Sequence, residues 1–303
     1  MTKTIKTPSL SIKRRFMRFY ISAWCAYIPR YRKRNGNSLT PVLGPDEDLI
    51  TMSYESCQVL RYNGYSNFKA LVYLSSDRTI GVKSALLADL LKLNDIKKYD
   101  ISDLYHLISL AEEIVEEGDV LVVSSDCSEA AAAVSMVLSK SKGYVEVLSS
   151  ESLINSPPLL PSKVARNDFH ADLYLGRLSK FLKNLLERAG VRPQEIKYVA
   201  TNLKDLRYCS KILKSVGISD TSLEPSKYVK TIGYFGTSHT LLTLVRSLEI
   251  SSPGDHILLL DLDDNFTCAT SLILKVVEDL RPMRGCVNYL DKLLTNTSVI
   301  TLQ

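Results

Sequence analysis

Apolar residues along the chain recur with two distinct spacings, and the alternation between those spacings sets out an order of elements. Leu241, Leu242, Leu244, Val245 and Leu248 repeat at helical spacing, Pro253-Gly254-Asp255 breaks that helix, and Ile257 to Leu260 is short and apolar enough to be a strand covered on both faces. Upstream, Asp172 to Arg188 places Leu175, Leu178, Leu182, Leu185 and Leu186 on one helical face, with Arg177, Lys180, Lys183, Asn184 and Glu187 largely off it. The longest apolar stretches, such as Ala130 to Leu138, are core-sized and too short to cross a bilayer.

This order of elements occurs twice. The first run predicts a helix from Met52 to Tyr62, Gly64, a strand from Ala70 to Leu74, a helix from Ser102 to Glu116, then Gly118-Asp119 and a strand from Val120 to Ser124. The second predicts the helix from Asp172, Gly190, a strand from Ile196 to Thr201, a helix from Thr237 to Leu248, then Gly254-Asp255 and the strand from Ile257. Each glycine falls where a helix must stop, the position that favours a left-handed residue. A repeat of roughly 130 residues is far longer than a solenoid period and implies two homologous half-domains of α/β class.

Composition fits an ordinary globular protein: 303 residues, 45% hydrophobic and 23% charged. Charge is uneven, since Met1 to Gly44 holds ten Lys or Arg and no acid, leaving 28 basic against 33 acidic residues beyond it. Residues 1–18 therefore read as a basic arm. A solvated tail is favoured over nucleic-acid binding, because no stacking aromatics or recognised nucleic-acid fold accompany the arm. With no secretory apolar segment, the expectation is a soluble cytoplasmic protein, although an organellar presequence would share the basic character. The six cysteines are far apart and form no C-x-x-C pair, and the four histidines are equally scattered, so no metal and no cofactor are expected.

Several blocks are specific enough to carry a resemblance. These are Ala26-Tyr-Ile-Pro-Arg-Tyr-Arg32, Gly44-Pro-Asp-Glu-Asp48, Gly81-Val-Lys83, Ala189-Gly-Val-Arg-Pro-Gln-Glu-Ile-Lys-Tyr198, and Ile232-Gly233 through Pro253-Gly-Asp255. In residue and order the chain resembles the archaeal-type hydroxymethylglutaryl-CoA synthases of the thiolase superfamily, from about Phe19 to Ile273. The resemblance implies a thiolase-like fold, with halves at 19–165 and 166–303 in a layered α-β-α-β-α sandwich. It also implies acyl-CoA chemistry of the isoprenoid precursor (mevalonate) pathway, in which a cysteine thiolate accepts acetyl, a glutamate makes the enolate, and a histidine and an asparagine orient the second acyl-CoA.

Each of those positions is changed here. The glutamate falls on Ser76, the histidine on Asn202 and the asparagine on Tyr234, while the nucleophile falls between Lys98 and Ile108, where there is no cysteine. Asp77 follows Ser76, but one step along a strand points to the opposite face. The family's glycine-rich loop is replaced by Asp261-Leu-Asp-Asp-Asn-Phe-Thr-Cys268. The expectation is thus a catalytically degenerate member acting as a structural or regulatory subunit. It would pair as a homodimer, or as a heterodimer with an intact thiolase-fold relative, with a small zinc-ribbon/OB-fold protein as a further possible partner. The segment Val120 to Ala133 is expected to supply the interface. The alternative is a divergent acyl-CoA-dependent acyltransferase or hydrolase using His239 or Cys268. A third and weaker reading takes Asp261-Leu-Asp263 and Thr267 as a haloacid-dehalogenase-type nucleophile motif, although only a short stretch of chain follows it where such enzymes place their core.

Overall fold

The computed structural model describes residues 18–35, 38–77, 81–154, 167–228, 232–262, 268–279, 293 and 298–300. Its backbone is a nine-stranded sheet. The strands are β1 (Phe19–Tyr27), β4 (Ala70–Leu74), β5 (Lys97–Ile101), β6 (Val120–Asp126), β7 (Ala132–Ser139), β8 (Val145–Ile154), β9 (Ile196–Thr201), β10 (His256–Leu262) and β11 (Cys268–Val276), ordered β5-β4-β6-β7-β1-β8-β11-β10-β9. A small second sheet pairs β2 (Tyr31–Asn35) with β3 (Ser38–Pro41) and β12 (Ser298–Ile300).

Pairing directions repeat across this sheet. Strand β6 is parallel to β4 and antiparallel to β7, which is antiparallel to β1. Strand β10 is parallel to β9 and antiparallel to β11, which is antiparallel to β8. Thus β8 holds in the second set the place that β1 holds in the first, and β1 and β8 join the sets by antiparallel pairing. Gly118 (φ 144°) and Gly254 (φ 93°) precede the equivalent strands β6 and β10, while Gly64 (φ 91°) and Gly190 (φ 67°) follow the equivalent helices. These backbone angles are costly for residues with a Cβ.

Helices α1 (Leu49–Tyr62), α2 (Lys83–Leu90), α3 (Leu104–Ile114), α4 (Asn167–Ala189), α5 (Leu206–Val216) and α6 (His239–Glu249) complete the layers. Asp48 starts α1 because its carboxylate accepts the Thr51 N–H while the Thr51 hydroxyl accepts the Asp48 N–H, a reciprocal cap. Along β10 the side chains alternate: Ile257 and Leu259 pack into the core shared with α3 and α6, whereas Leu258, Leu260 and Leu262 pack against α4 and α5. The two core helices therefore lie between the two parts of the sheet, with α1 and α4 outside. That is the layered α/β arrangement the sequence predicts. Leu242, Leu244 and Leu248 of α6 are each at most 1% exposed, and full burial of one such side chain contributes about 1.5–3 kcal/mol.

One expectation is corrected. In the segment from Val120 to Ala133, β6 itself offers no interface surface, because it is flanked by β4 and β7 and all of its residues are buried within the chain, which leaves only Cys127 to Glu129 exposed. An apolar run marks burial, and here its own neighbours provide it. The two true edges differ. Strand β9 is covered by the 3-10 segment Asp220–Ser226, whose Ser222 and Ser226 hydroxyls donate to the carbonyls of Ile196 and Val199. Among the described residues, β5 pairs only with β4.

Candidate functional site

Parallel strands release their chain at the same end of the sheet, and in open α/β folds that carboxyl end is where ligands bind. Here β4 leads to Ser75-Ser76, β5 to Ser102-Asp103, β6 ends in Asp126, β9 leads to Asn202 and β10 ends in Asp261-Leu262. Helices α3 and α6 begin in the same region. Two adjoining hollows result.

The smaller hollow, of about 230 Å³, is lined by Asp103, Asn202, Tyr234, Thr240 and Asp261, with Ser102 at its edge. The larger cleft, of about 530 Å³, includes Ser75, Ser76, Asp77, Lys83, Ser102 and His106. Two of the three positions singled out in the sequence, Asn202 and Tyr234, therefore share one hollow, and Ser76 lies in the next. Ser102 lines both. The strand-to-helix turn within the Lys98 to Ile108 window is Ser102-Asp103-Leu104, so the segment with no cysteine does border the site.

What these side chains touch limits their chemistry. Asn202 donates from Nδ2 to the Leu262 carbonyl at 2.6 Å and accepts the Leu262 N–H at 3.0 Å, clamping the end of β9 to the end of β10. Its amide is spent on backbone. The Tyr234 ring has two close neighbours, the Lys204 ammonium 4.2 Å from its centroid and the His239 ring 4.8 Å away on a 34° tilt. Lys204 also pairs with Glu129. Ser76 donates to Asp126 Oδ2 at 3.3 Å.

Asp126 is the hub of this end. It is 2% exposed and accepts from the Thr237 N–H at 3.1 Å, the Thr237 hydroxyl at 3.2 Å and the Ser128 N–H at 2.8 Å. Gly236 (φ 51°) lies against it so closely that a Cβ there would sit 2.2 Å from the carboxylate oxygen. Ser238 meets Ser124 at 3.0 Å, and Thr240 donates to Asp261. The turn into α6 is thereby bonded to β6 on one side and β10 on the other.

His239 is not available as a base. It is 1% exposed, and burial, with a smaller effect from the Lys204 charge, pushes its imidazole down to about 3. Nδ1 accepts the Phe235 N–H at 3.4 Å, Nε2 has no partner among the described residues, and the rings of Tyr228, Tyr234 and Phe235 surround it. This corrects the expectation of a relocated base at His239. The thiols fare no better. Burial pushes Cys57 and Cys209 up to about 12, and Cys127 is raised by burial and by the Asp126 and Asp77 charges. Cys268 is half-buried at the start of β11 and lines neither hollow. Residues 263–267, which carry most of the dehalogenase-like motif and of the loop that replaces the glycines, lie outside the described residues, as do the arm through residue 17 and Cys286.

Asp77 corrects a second expectation. Strand β4 ends at Leu74, so alternation no longer applies, and Asp77 lines the same cleft as Ser76. The sequence reading missed Asp103 and His106. Asp103 accepts the His106 N–H at 3.0 Å and so caps α3. An aspartate just before an apolar helical repeat is the signal that could have found it.

Comparisons with known proteins agree with this fold. Solved structures show the class. A hydroxymethylglutaryl-CoA synthase complexed with CoA superposes with a TM-score of 0.74 at 16% identity, over 94% of this chain and 88% of that one. The 3-oxoacyl-[acyl-carrier-protein] synthase III of Aquifex aeolicus gives 0.68 at 14% identity, over 85% and 99%. The fold is thiolase-like. In sequence, the hydroxymethylglutaryl-CoA synthase of Aeropyrum pernix is 24% identical over 322 residues, covering 89% of each chain, and that of Pyrobaculum calidifontis is 24% identical over 288 residues, covering 79% and 82%. No protein-family model matches. The protein is hydroxymethylglutaryl-CoA synthase-like, a relative of acyl-CoA condensing enzymes.

The buried His239 predicts an acid-labile fold. Its folded-state value lies below the ordinary 6.5, so the unfolded chain binds the extra proton. Stability is full above about pH 6.5 and falls as pH drops toward 3, by on the order of 1.4 kcal/mol per unit of difference. In urea titrations at stepped pH, His239→Asn should lose less stability than wild type between pH 6.5 and 4.5, and parallel curves would contradict the assignment.

Proposed function

We propose that this chain keeps the condensing-enzyme frame without the thiolate chemistry of its relatives and serves as a structural or regulatory subunit of an acyl-CoA condensing assembly. The observation that carries this reading is the Asn202 clamp. The side chain at the position where the resemblance implies a substrate-orienting histidine is spent on the Leu262 backbone. Asp103 supports the same reading, because its carboxylate already occupies the amino end of α3, the place where a helix dipole would stabilise a thiolate. Serine stands at the glutamate position and tyrosine at the asparagine position, so neither position carries the side chain that the resemblance implies.

The consequence is that incubation with acetyl-CoA followed by intact-mass measurement should reveal no added acetyl group. Stoichiometric, thioester-labile acetylation would overturn the reading and favour a divergent acyltransferase.

The partner in this reading is a second thiolase-fold subunit, either this chain or a catalytically intact relative; a small zinc-ribbon/OB-fold protein is a further partner that the resemblance implies. The surface that fits the subunit is the β5 edge with α2. An unpaired edge strand is a template for another strand, and Val82, Leu86 and Leu90, 60%, 49% and 45% exposed, make an apolar stripe on α2 beside it. About β5's central Tyr99, antiparallel self-pairing would set Lys98 opposite the second copy's Asp100, an opposite-charge cross-strand pair. A stable pair buries about 800 Å² per partner. Light scattering after gel filtration should give a dimer for wild type and a folded monomer for the double variant Leu86→Asp, Leu90→Asp. A wild-type protein that stays monomeric alone and with an intact relative would remove the proposal.

A further inference from the structure

We infer that the 530 Å³ cleft is a hydrolytic site for small uncharged acyl esters and thioesters, in which His106 is the general base and Asp103 positions it. The inference goes beyond the subunit reading and can fail independently of it. Its starting point is a pair of side chains one helical turn apart. The Asp103 carboxylate lies 2.7 and 2.8 Å from His106 Nδ1, accepts the His106 N–H at 3.0 Å and accepts the Ser102 hydroxyl at 3.0 Å.

Burial works against the Asp103 charge, but these hydrogen bonds outweigh it and hold the carboxyl below its ordinary range. A fixed carboxylate at Nδ1 selects the tautomer that bears its proton there, leaving the Nε2 lone pair free to accept another. The Tyr105 ring, edge-on at 5.2 Å, packs beside the imidazole. In contrast to the enclosed His239, the His106 side chain is 62% exposed, so water reaches it.

The cleft around this pair suits a small neutral substrate. Its volume is within the range of small-molecule sites, about 300–1,000 Å³. It opens at the carboxyl ends of β4 and β5 and is lined there by Ser75, Ser76 and Ser102. Asp77, Asp100 and Asp103 outnumber Lys83 there, which disfavours anionic ligands.

In the step itself Nε2 takes a proton from water as the water oxygen bonds to the acyl carbon. The carbon–oxygen or carbon–sulfur bond then breaks, and the imidazolium returns the proton to the leaving alkoxide or thiolate. The products are a carboxylic acid and an alcohol or thiol. No acyl-enzyme forms.

The test is hydrolysis of p-nitrophenyl acetate and of S-acetyl-N-acetylcysteamine by the full-length chain. His106→Gln should lower kcat by about 100-fold, the usual contribution of a general base. Asp103→Asn should lower kcat toward the same limit of about 100-fold as loss of the base itself, with KM unchanged, because asparagine caps a helix as well as aspartate does but cannot hold the imidazole as a carboxylate does. Melting curves would verify that both variants fold. Equal rates for wild type and His106→Gln would overturn the inference, as would loss of activity after cysteine alkylation. Full kcat in Asp103→Asn would overturn the role given to Asp103.

Discussion

The buried Asp126 carboxylate is the constraint around which this end of the molecule is built. A charge that is 2% exposed must be met by donors, since one left unmet costs several kcal/mol. Thr237 supplies two donors and Ser128 and Ser76 one each. To reach it the chain must pass with no side chain at Gly236. That requirement fixes where α6 begins, and α6 is one of the two helices that fill the space between the sheet halves. The same turn binds β10 through Thr240 and Asp261, so two carboxylates, one on β6 and one on β10, hold it to both parts of the sheet.

A polar network of this kind has two uses, and they compete. Groups at the carboxyl ends of parallel strands can be kept free for a ligand or spent on the scaffold. In this protein Asn202, Ser76, Asp126 and Thr240 are spent on other protein groups, and Asp103 and His106 on one another. The outcome is a thiolase-like frame whose smaller hollow is bordered by carboxylates and backbone clamps, and whose larger cleft holds the exposed imidazole. The buried His239, ringed by Tyr228, Tyr234 and Phe235, belongs to the scaffold side of this division.

Much of the frame is legible in the sequence because burial writes a periodic signal. Strands β4, β6, β9 and β10 and helices α1, α3, α4 and α6 follow from apolar spacing and from the glycines that end or precede them. Strand β5 does not, since Lys97-Lys98-Tyr99-Asp100-Ile101 lies at an open edge and needs no apolar alternation. Helix α2 is missed for a related reason: its leucines face both inward and outward, and the pattern loses its period. At the site, the resemblance located Ser76, Asn202 and Tyr234, which do gather at one end of the sheet. Their hydrogen bonds are another matter. That Asn202 faces the Leu262 backbone depends on the parallel register of β9 and β10, which no local motif encodes.

The central claim is that the site's polar side chains hold the fold, and the Asn202 clamp is where it can be tested most directly. The Asn202 amide bonds the Leu262 backbone through both its oxygen and its nitrogen, so its removal reads out that role. The measurement is the urea unfolding free energy of Asn202→Ala against wild type at pH 7. The account predicts a loss of about 1–3 kcal/mol, the cost of leaving the Leu262 N–H and carbonyl unpaired. An unchanged unfolding free energy would contradict it and return Asn202 to the ligand side of the site.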